Sequence, residues 1–205
     1  HVLAAAATLI LAAGASAEDG YRLWLRYEPI DDAALRRAYA EALPEIVVPG
    51  TPQGPLAAAR DELAVGLRGL LDADVPVVTR ATRPRCLTLA TSREASAIVG
   101  EADLRRAGEE GFVIRRVSRD GRDALVVAAN RDVGVLYGAF ALLRHLQLRR
   151  PLDEIDLVSA PRIERRVLNH WDNLDRTVER GYAGSSIWEW FYLPEIRSPR
   201  YRDYG

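Results

Sequence analysis

Along residues 21–148, short runs of two-residue apolar period alternate with longer stretches of helical period, and this alternation constrains the fold more than any other feature. Tyr21–Tyr27 (YRLWLRY) alternates large apolar and basic residues, as expected of a strand with one buried face. Pro29-Ile30-Asp31-Asp32 punctuates it, and Asp31 or Asp32 can cap a helix whose stripe is Leu35, Tyr39 and Leu43. Pro44 stops that helix, and Glu45–Val48 can form a short strand. After the turn-rich link Thr51–Pro55, Leu56–Leu71 reads as a helix with Leu56, Leu63, Leu67 and Leu70 on one face. Val75–Val78 contains Pro76 and so reads as an edge strand, because proline cannot donate to a central ladder.

Leu87–Ala90 is a further strand, whereas Ser92–Glu110 is polar and only weakly periodic. Phe112–Val117 and Asp123–Ala129 flank Asp120-Gly121 as a hairpin. Asn130 or Asp132 is expected to cap a helix over Val133–Leu148, with the stripe Val133, Leu136, Tyr137, Phe140, Leu143 and Leu146. Gly134 and Gly138 lie inside that helix. Glycine costs about 1 kcal/mol there relative to alanine, so close backbone packing is the expected reason for it. Residues 18–160 therefore predict an α/β domain, a sheet covered by helices. This stretch gathers no paired acids, no nucleophile with a base, no metal-ligand set and no Gly-x-Gly-x-x-Gly after a strand. His145 reads as a boundary residue of the long helix, and the domain as a non-catalytic one.

Composition narrows the function. All 28 basic residues are Arg, and the net charge is −1, which argues against nucleic acid and against a polybasic membrane surface. The one cysteine, Cys86, forms no internal disulfide and excludes a multi-Cys zinc site. His1–Ala17 carries no charged side chain, its apolar run falls short of the roughly 20 residues of a membrane span, and Ala15-Ser16-Ala17 has the small-x-small pattern of a signal-peptidase site. The expectation is a signal peptide lacking its charged start, and an exported protein, periplasmic or extracellular, without a membrane anchor.

Chemistry concentrates after residue 160. Ile163–Asn173 begins with the pattern of a strand and ends in polar groups, and the following stretch to Trp190 brings aromatic, amide, carboxylate and Arg side chains together. Three of the four Trp lie beyond residue 160. A sugar site uses these types: aromatic faces stack on the apolar face of a pyranose, carboxylates and amides bond hydroxyls, and Arg pairs with a substrate carboxylate. A strand ending in such a cluster is also how a (β/α)8 barrel places an active-site loop.

Asn169-His170-Trp171-Asp172-Asn173-Leu174-Asp175, followed by Val178-Glu179-Arg180-Gly181-Tyr182-Ala183-Gly184, resembles the signature of the glycoside hydrolase family 67 α-glucuronidases. Gly20-Tyr21, Trp24–Tyr27 and Gly134-Val135-Leu136-Tyr137-Gly138 support the likeness, which runs in order over residues 18–205. Arg176-Thr177 stands where the family pattern often has Gly followed by a small residue. The resemblance implies an inverting enzyme that releases glucuronic acid or its 4-O-methyl ether from glucuronoxylan oligosaccharides, built from an N-terminal α/β domain, a (β/α)8 catalytic barrel and a helical C-terminal region. Its general acid and base lie on later barrel strands. Residues 161–205 are far fewer than the roughly 250 of a whole barrel, so the expectation is an N-terminal fragment: residues 18–160 a non-catalytic domain, residues 161–205 the truncated start of the barrel, no catalytic carboxylate in this stretch and no activity of its own. No metal or organic cofactor is implied, and homodimer contacts are expected only in regions outside these residues.

Five residues are candidates for substrate contact. Trp171 is a platform at the end of the first barrel strand, or else a core Trp sealing the barrel. Asp172 and Asn173 are hydroxyl partners or turn caps. Glu179 lines the pocket or pairs with Arg180, and Arg180 meets the uronate or serves only that pair. His170 packs or bonds; Trp188, Glu189 and Trp190 are weaker, since IWEW can cover the outer edge of the barrel. Two alternatives stand beside the enzyme. Residues 18–160 are a carbohydrate-binding module, which would show a row of exposed aromatics, or a purely structural buttress. A related module in family 20 hexosaminidases means that the α/β domain alone does not name the substrate.

Overall fold

The computed structural model describes residues 23–201 apart from 120, 168 and 179–183. His1–Ala17, expected to be a signal peptide, and Gly20-Tyr21, Glu179 and Arg180 lie outside the described residues.

Among the described residues five α-helices and six strands follow one another as α1 (Ala33–Ala42), β1 (Ile46–Val47), α2 (Gly54–Leu71), β2 (Val77–Val78), β3 (Arg85–Thr91), α3 (Ser92–Val99), α4 (Glu101–Ala107), β4 (Phe112–Arg119), β5 (Arg122–Ala129), α5 (Asp132–Gln147) and β6 (Asp156–Ser159). The strands form one sheet in the order β2-β1-β3-β5-β4-β6. β1 pairs in parallel with both β2 and β3, and β3 in parallel with β5. β4 runs antiparallel to β5 and to β6. The hairpin and the edge position of Val77-Val78 match the expectation, and the mixed sheet with helices matches the α/β class.

Side chains alternate across the sheet and separate two apolar layers. Leu87 and Leu89 of β3, Ile114 of β4, and Leu125 and Val127 of β5 face α1, α2 and α5, where Leu63, Leu67, Leu142, Leu143 and Leu146 are fully buried. Ala90, Val113, Val126 and Ala128 face α3 and α4, and meet the smaller Ala95, Val99, Leu104 and Ala107. Each buried Leu or Val contributes roughly 1.5–3 kcal/mol relative to exposure, so the first layer dominates the stability.

The glycines of α5 do what their position suggested. A Cβ on Gly134 would lie 2.3 Å from the carbonyl oxygen of Gly111, and one on Gly138 would lie 2.5 Å from Val127 Cγ1. The helix therefore rests on the strands at a spacing that only a missing Cβ allows. At the other end, Asp32 caps α1, its Oδ1 accepting from Ala34 N at 2.9 Å and Leu35 N at 3.0 Å. Those two amides hold its carboxyl below the ordinary range. Glu45, just before β1, is fully buried. Burial would raise its carboxyl, but the Thr82 hydroxyl, the amides of Arg83 and Thr82 and the charge of Arg83 together hold it below its ordinary value.

Four expectations are corrected. Leu23–Arg26 is a 3-10 turn, not part of a strand, and Tyr27 takes a positive φ of 53°. The alternation there serves packing: Tyr27 is buried against α2, with its hydroxyl donating to Glu62 Oε1 at 2.6 Å. Ser92–Ala107 forms two short helices, whose small buried residues give little periodic contrast. Neither Asn130 nor Asp132 caps α5; Arg131 occupies the cap position, and its side chain makes no capping bond to the helix. Asn130 instead donates to Leu104 O at 2.8 Å and Gly108 O at 2.9 Å, tying β5 to the end of α4. Finally, the stretch from Ile163 forms no strand among the described residues. Ile163 and Val167 are 66% and 82% exposed, and a strand pattern without a neighbouring ladder has nothing to pair with.

Cys86 is buried, and His145 is half-buried with its ring against Pro151 O at 2.9 Å. No helix among the described residues is long and apolar enough to cross a membrane, and these residues contain no His, Cys, Asp or Glu group suited to a metal ion.

Candidate functional site

Residues 169–201 are organised around one tight turn and one aromatic stack. Asn173 O accepts from Arg176 N at 2.9 Å, and Asn173 N donates to Thr177 O at 2.8 Å. Asp172 bridges Val178 and Thr177 bridges Ser185, both antiparallel, so the chain doubles back on itself. Within the turn, Asn173 Nδ2 donates to Thr177 Oγ1 at 2.8 Å, and that hydroxyl donates to Asp175 Oδ1 at 2.7 Å. The Thr177 amide reaches the same oxygen at 2.9 Å. The Thr177 hydroxyl and amide hold the Asp175 carboxyl below its usual range.

Arg176 takes φ +72°. This left-handed region disfavours any residue with a Cβ, and a glycine, as the resemblance leads one to expect here, would adopt it without that strain. Arg176 is held in place from both sides: its Nη2 donates to Ser186 O at 3.2 Å, and its carbonyl accepts from Ser186 N at 2.7 Å.

Ser186 is buried and closes the turn. Its hydroxyl donates to Asp172 Oδ2 and accepts from Trp188 N at 2.9 Å. Trp188 is the centre of the stack, with His170 edge-on at 5.3 Å, Tyr201 at 4.5 Å and Trp190 at 6.3 Å between ring centroids. The Tyr201 hydroxyl accepts from Glu189 N at 2.6 Å.

The structure places most of the candidate residues on or beside this turn. Trp171 is 65% exposed, with its ring on the surface and not in a core. Asp172 is half-buried and has one carboxylate oxygen on Ser186. Asn173 is exposed and braces the turn through its amide bond to the Thr177 hydroxyl. Glu179 and Arg180 lie outside the described residues. His170 packs on Trp188, and Glu189 lies 3.9 Å from Arg176 Nη1. Trp171, Asp172 and Asn173 thus come together on one turn. Ser186, Arg176 and Tyr201, which hold that turn, were not among the candidates. Ser186 stands in a run of small residues with no periodic signal, and only the departure of Arg176 from the family pattern marked its position.

A helix-covered mixed sheet leads into a turn rich in aromatic, amide and carboxylate groups, residue types that suit a carbohydrate ligand, and the family-model matches place the chain among the glycoside hydrolases. Residues 23–142 match the family model described as the glycosyl hydrolase family 67 N-terminus, and residues 145–205 match its middle domain. The chain belongs to glycosyl hydrolase family 67. It is 33% identical over 195 residues to "Alpha-glucuronidase A" of Emericella nidulans, a match covering 89% of this chain and 22% of that protein. It is 29% identical over 174 residues to "Probable alpha-glucuronidase A" of Aspergillus oryzae, covering 83% and 20%. With "Alpha-glucuronidase" of Hypocrea jecorina the identity is 29% over 184 residues, covering 83% and 21%. The chain spans about a fifth of the length of these relatives. None of this favours the family 20-like alternative.

Proposed function

We propose that this chain is the N-terminal part of an exported α-glucuronidase that removes glucuronic acid, or its 4-O-methyl ether, from xylan-derived oligosaccharides with inversion. In this reading residues 18–160 are a non-catalytic domain, and residues 161–205 begin the catalytic barrel. Trp171 stacks on a sugar ring, Asp172 and Asn173 bond hydroxyls, and Glu179 and Arg180 line the uronate side of the pocket. An inverting site needs two carboxyl groups about 6.5–9.5 Å apart with a water between them. Asp172 has one carboxylate oxygen on Ser186 and Asp175 is held by Thr177, which suits hydrogen bonding and bracing better than proton transfer, so the acid and base are assigned to the part of the enzyme beyond residue 205.

One observation carries this reading: an exposed Trp171 on a hydrogen-bonded turn that also presents Asp172 and Asn173, within the span matched to the family's middle domain. Among the sheet-domain aromatics whose side chains are described, Tyr137 alone is exposed, which is not the row that a xylan-binding module would present.

The test is hydrolysis of aldouronic acids by the full-length enzyme, with proton NMR of the first product. Release of the β-anomer of glucuronic acid supports the proposal; no release, or the α-anomer, contradicts it. The 205-residue chain alone should release none.

A further inference from the structure

The Gly134-Val135-Leu136-Tyr137-Gly138 stretch has no part in the turn that carries Trp171, yet it meets the segment leading to that turn. Arg166 lies five residues before Trp171. Its guanidinium carbon is 5.2 Å from the centroid of the Tyr137 ring, and its Nη2 donates to the Tyr137 hydroxyl at 3.3 Å and to Glu110 Oε2. Its Nη1 donates to Ile163 O at 2.7 Å, which folds the connector back on itself. One side chain thus joins an aromatic face, a carboxylate and its own backbone.

The two partners of Arg166 are placed by rigid contacts. Glu110 immediately precedes Gly111, whose carbonyl oxygen is the atom that a Cβ on Gly134 would strike. Gly111 is itself wedged, because a Cβ there would lie 2.1 Å from Ala107 O and 2.2 Å from Ser159 O. Ser159 ends β6, where the chain departs toward the connector. The missing Cβ atoms of Gly111 and Gly134 therefore fix the separation of Glu110 and Tyr137 and bring both beside the exit of the sheet. An arginine suits this place because its planar cation can stack on a ring while its N–H groups bond a carboxylate, which a lysine cannot do in the same geometry.

We propose that Glu110 and Tyr137, spaced by the Gly111–Gly134 contact, form an intramolecular docking socket for Arg166 that anchors the connector between the sheet domain and the Trp171 turn. The inference rests on these contacts alone and does not depend on the carbohydrate reading.

Trypsin supplies the test, because it cuts after arginine and a docked Arg166 is a poor substrate. The rate of cutting at Arg166-Val167 is monitored by mass spectrometry in the 205-residue chain, with cutting at Arg200-Tyr201 as the internal reference. Tyr137→Leu should speed cutting at Arg166 about tenfold and Glu110→Gln about threefold. Tyr137→Phe, which keeps the ring, should change it less than twofold. The Arg200 rate should stay constant in all three. Equal rates at Arg166 in the parent chain, Tyr137→Leu and Glu110→Gln would overturn the socket, as would parallel acceleration at both sites. Glu110 is a surface residue, so its variant keeps the test decisive if Tyr137→Leu loosens the fold.

Discussion

In the sheet domain, order comes from apolar side chains sealed between layers; in the segment after residue 160, it comes from hydrogen bonds and ring contacts close to the surface. Leu87, Leu125, Leu142 and Leu143 lose essentially all exposure to solvent. Trp171, Leu174 and Phe191 keep most of theirs. The turn at Asp172–Val178 owes its shape to the Ser186 hydroxyl, the Asn173 amide and the left-handed Arg176. The difference separates two tasks. A buried apolar residue stabilises but cannot meet a ligand, whereas an exposed Trp on a braced turn contributes little to stability and is free to do so. In the proposed reading residues 18–160 form a support, and ligand contact belongs to the Trp171 turn and the chain beyond it.

Substitutions in the two regions should therefore have opposite signatures. The largest loss of stability is expected from Leu143→Ala, about 3–5 kcal/mol, because the fully buried side chain fills the space between α5 and α2. Urea unfolding monitored by circular dichroism measures it; a loss under 1 kcal/mol would mean that the apolar layer is not what holds the sheet domain.

Next in size is Glu45→Gln, which weakens the charged hydrogen bonds to Thr82 and Arg83 and should cost about 2 kcal/mol at neutral pH. The Glu45 carboxyl is held below its ordinary value of 4.5, so its stabilising effect is complete above that pH. The effect fades as pH falls through the lower folded value. The gap in stability between the parent chain and Glu45→Gln should accordingly narrow below about pH 4, and a gap that widens in acid would reverse the assignment.

Arg176→Gly should have the smallest effect on stability, within about 0.5 kcal/mol, since relief of the left-handed backbone is offset by the greater freedom of the unfolded glycine and the lost bond to Ser186 O. Amide exchange at Thr177 and Val178 would report it locally. A loss above 2 kcal/mol would show that this turn supports the whole fold, erasing the contrast between the two regions.

Legibility in the sequence divided along the same line. The β4–β5 hairpin, α2 and α5 were readable because one broad apolar face imposes a clear period on each. α3 and α4 were not, because their buried faces are built from Ala95, Val99, Leu104 and Ala107 against a thin layer, and so the contrast with their polar faces is small. Leu23–Tyr27 misled because alternation also arises when a chain lies across a helix, as Tyr27 does over α2. Asn130 carried the residue type of a cap, but two carbonyls at the end of α4 hold its amide. On the turn, the motif drew attention to Trp171, Asp172 and Asn173, whereas the latch from Ser186 spans fourteen positions and obeys no period.

The most direct measurement of this division of labour is kcat/KM of the full-length enzyme on aldouronic acids with Trp171→Ala, taken together with its unfolding temperature. The account predicts a fall of about a hundredfold or more, equivalent to nearly 3 kcal/mol of lost transition-state stabilisation, with an unfolding temperature within a degree or two of the parent. An unchanged kcat/KM, or a loss of activity that only tracks unfolding, would contradict it.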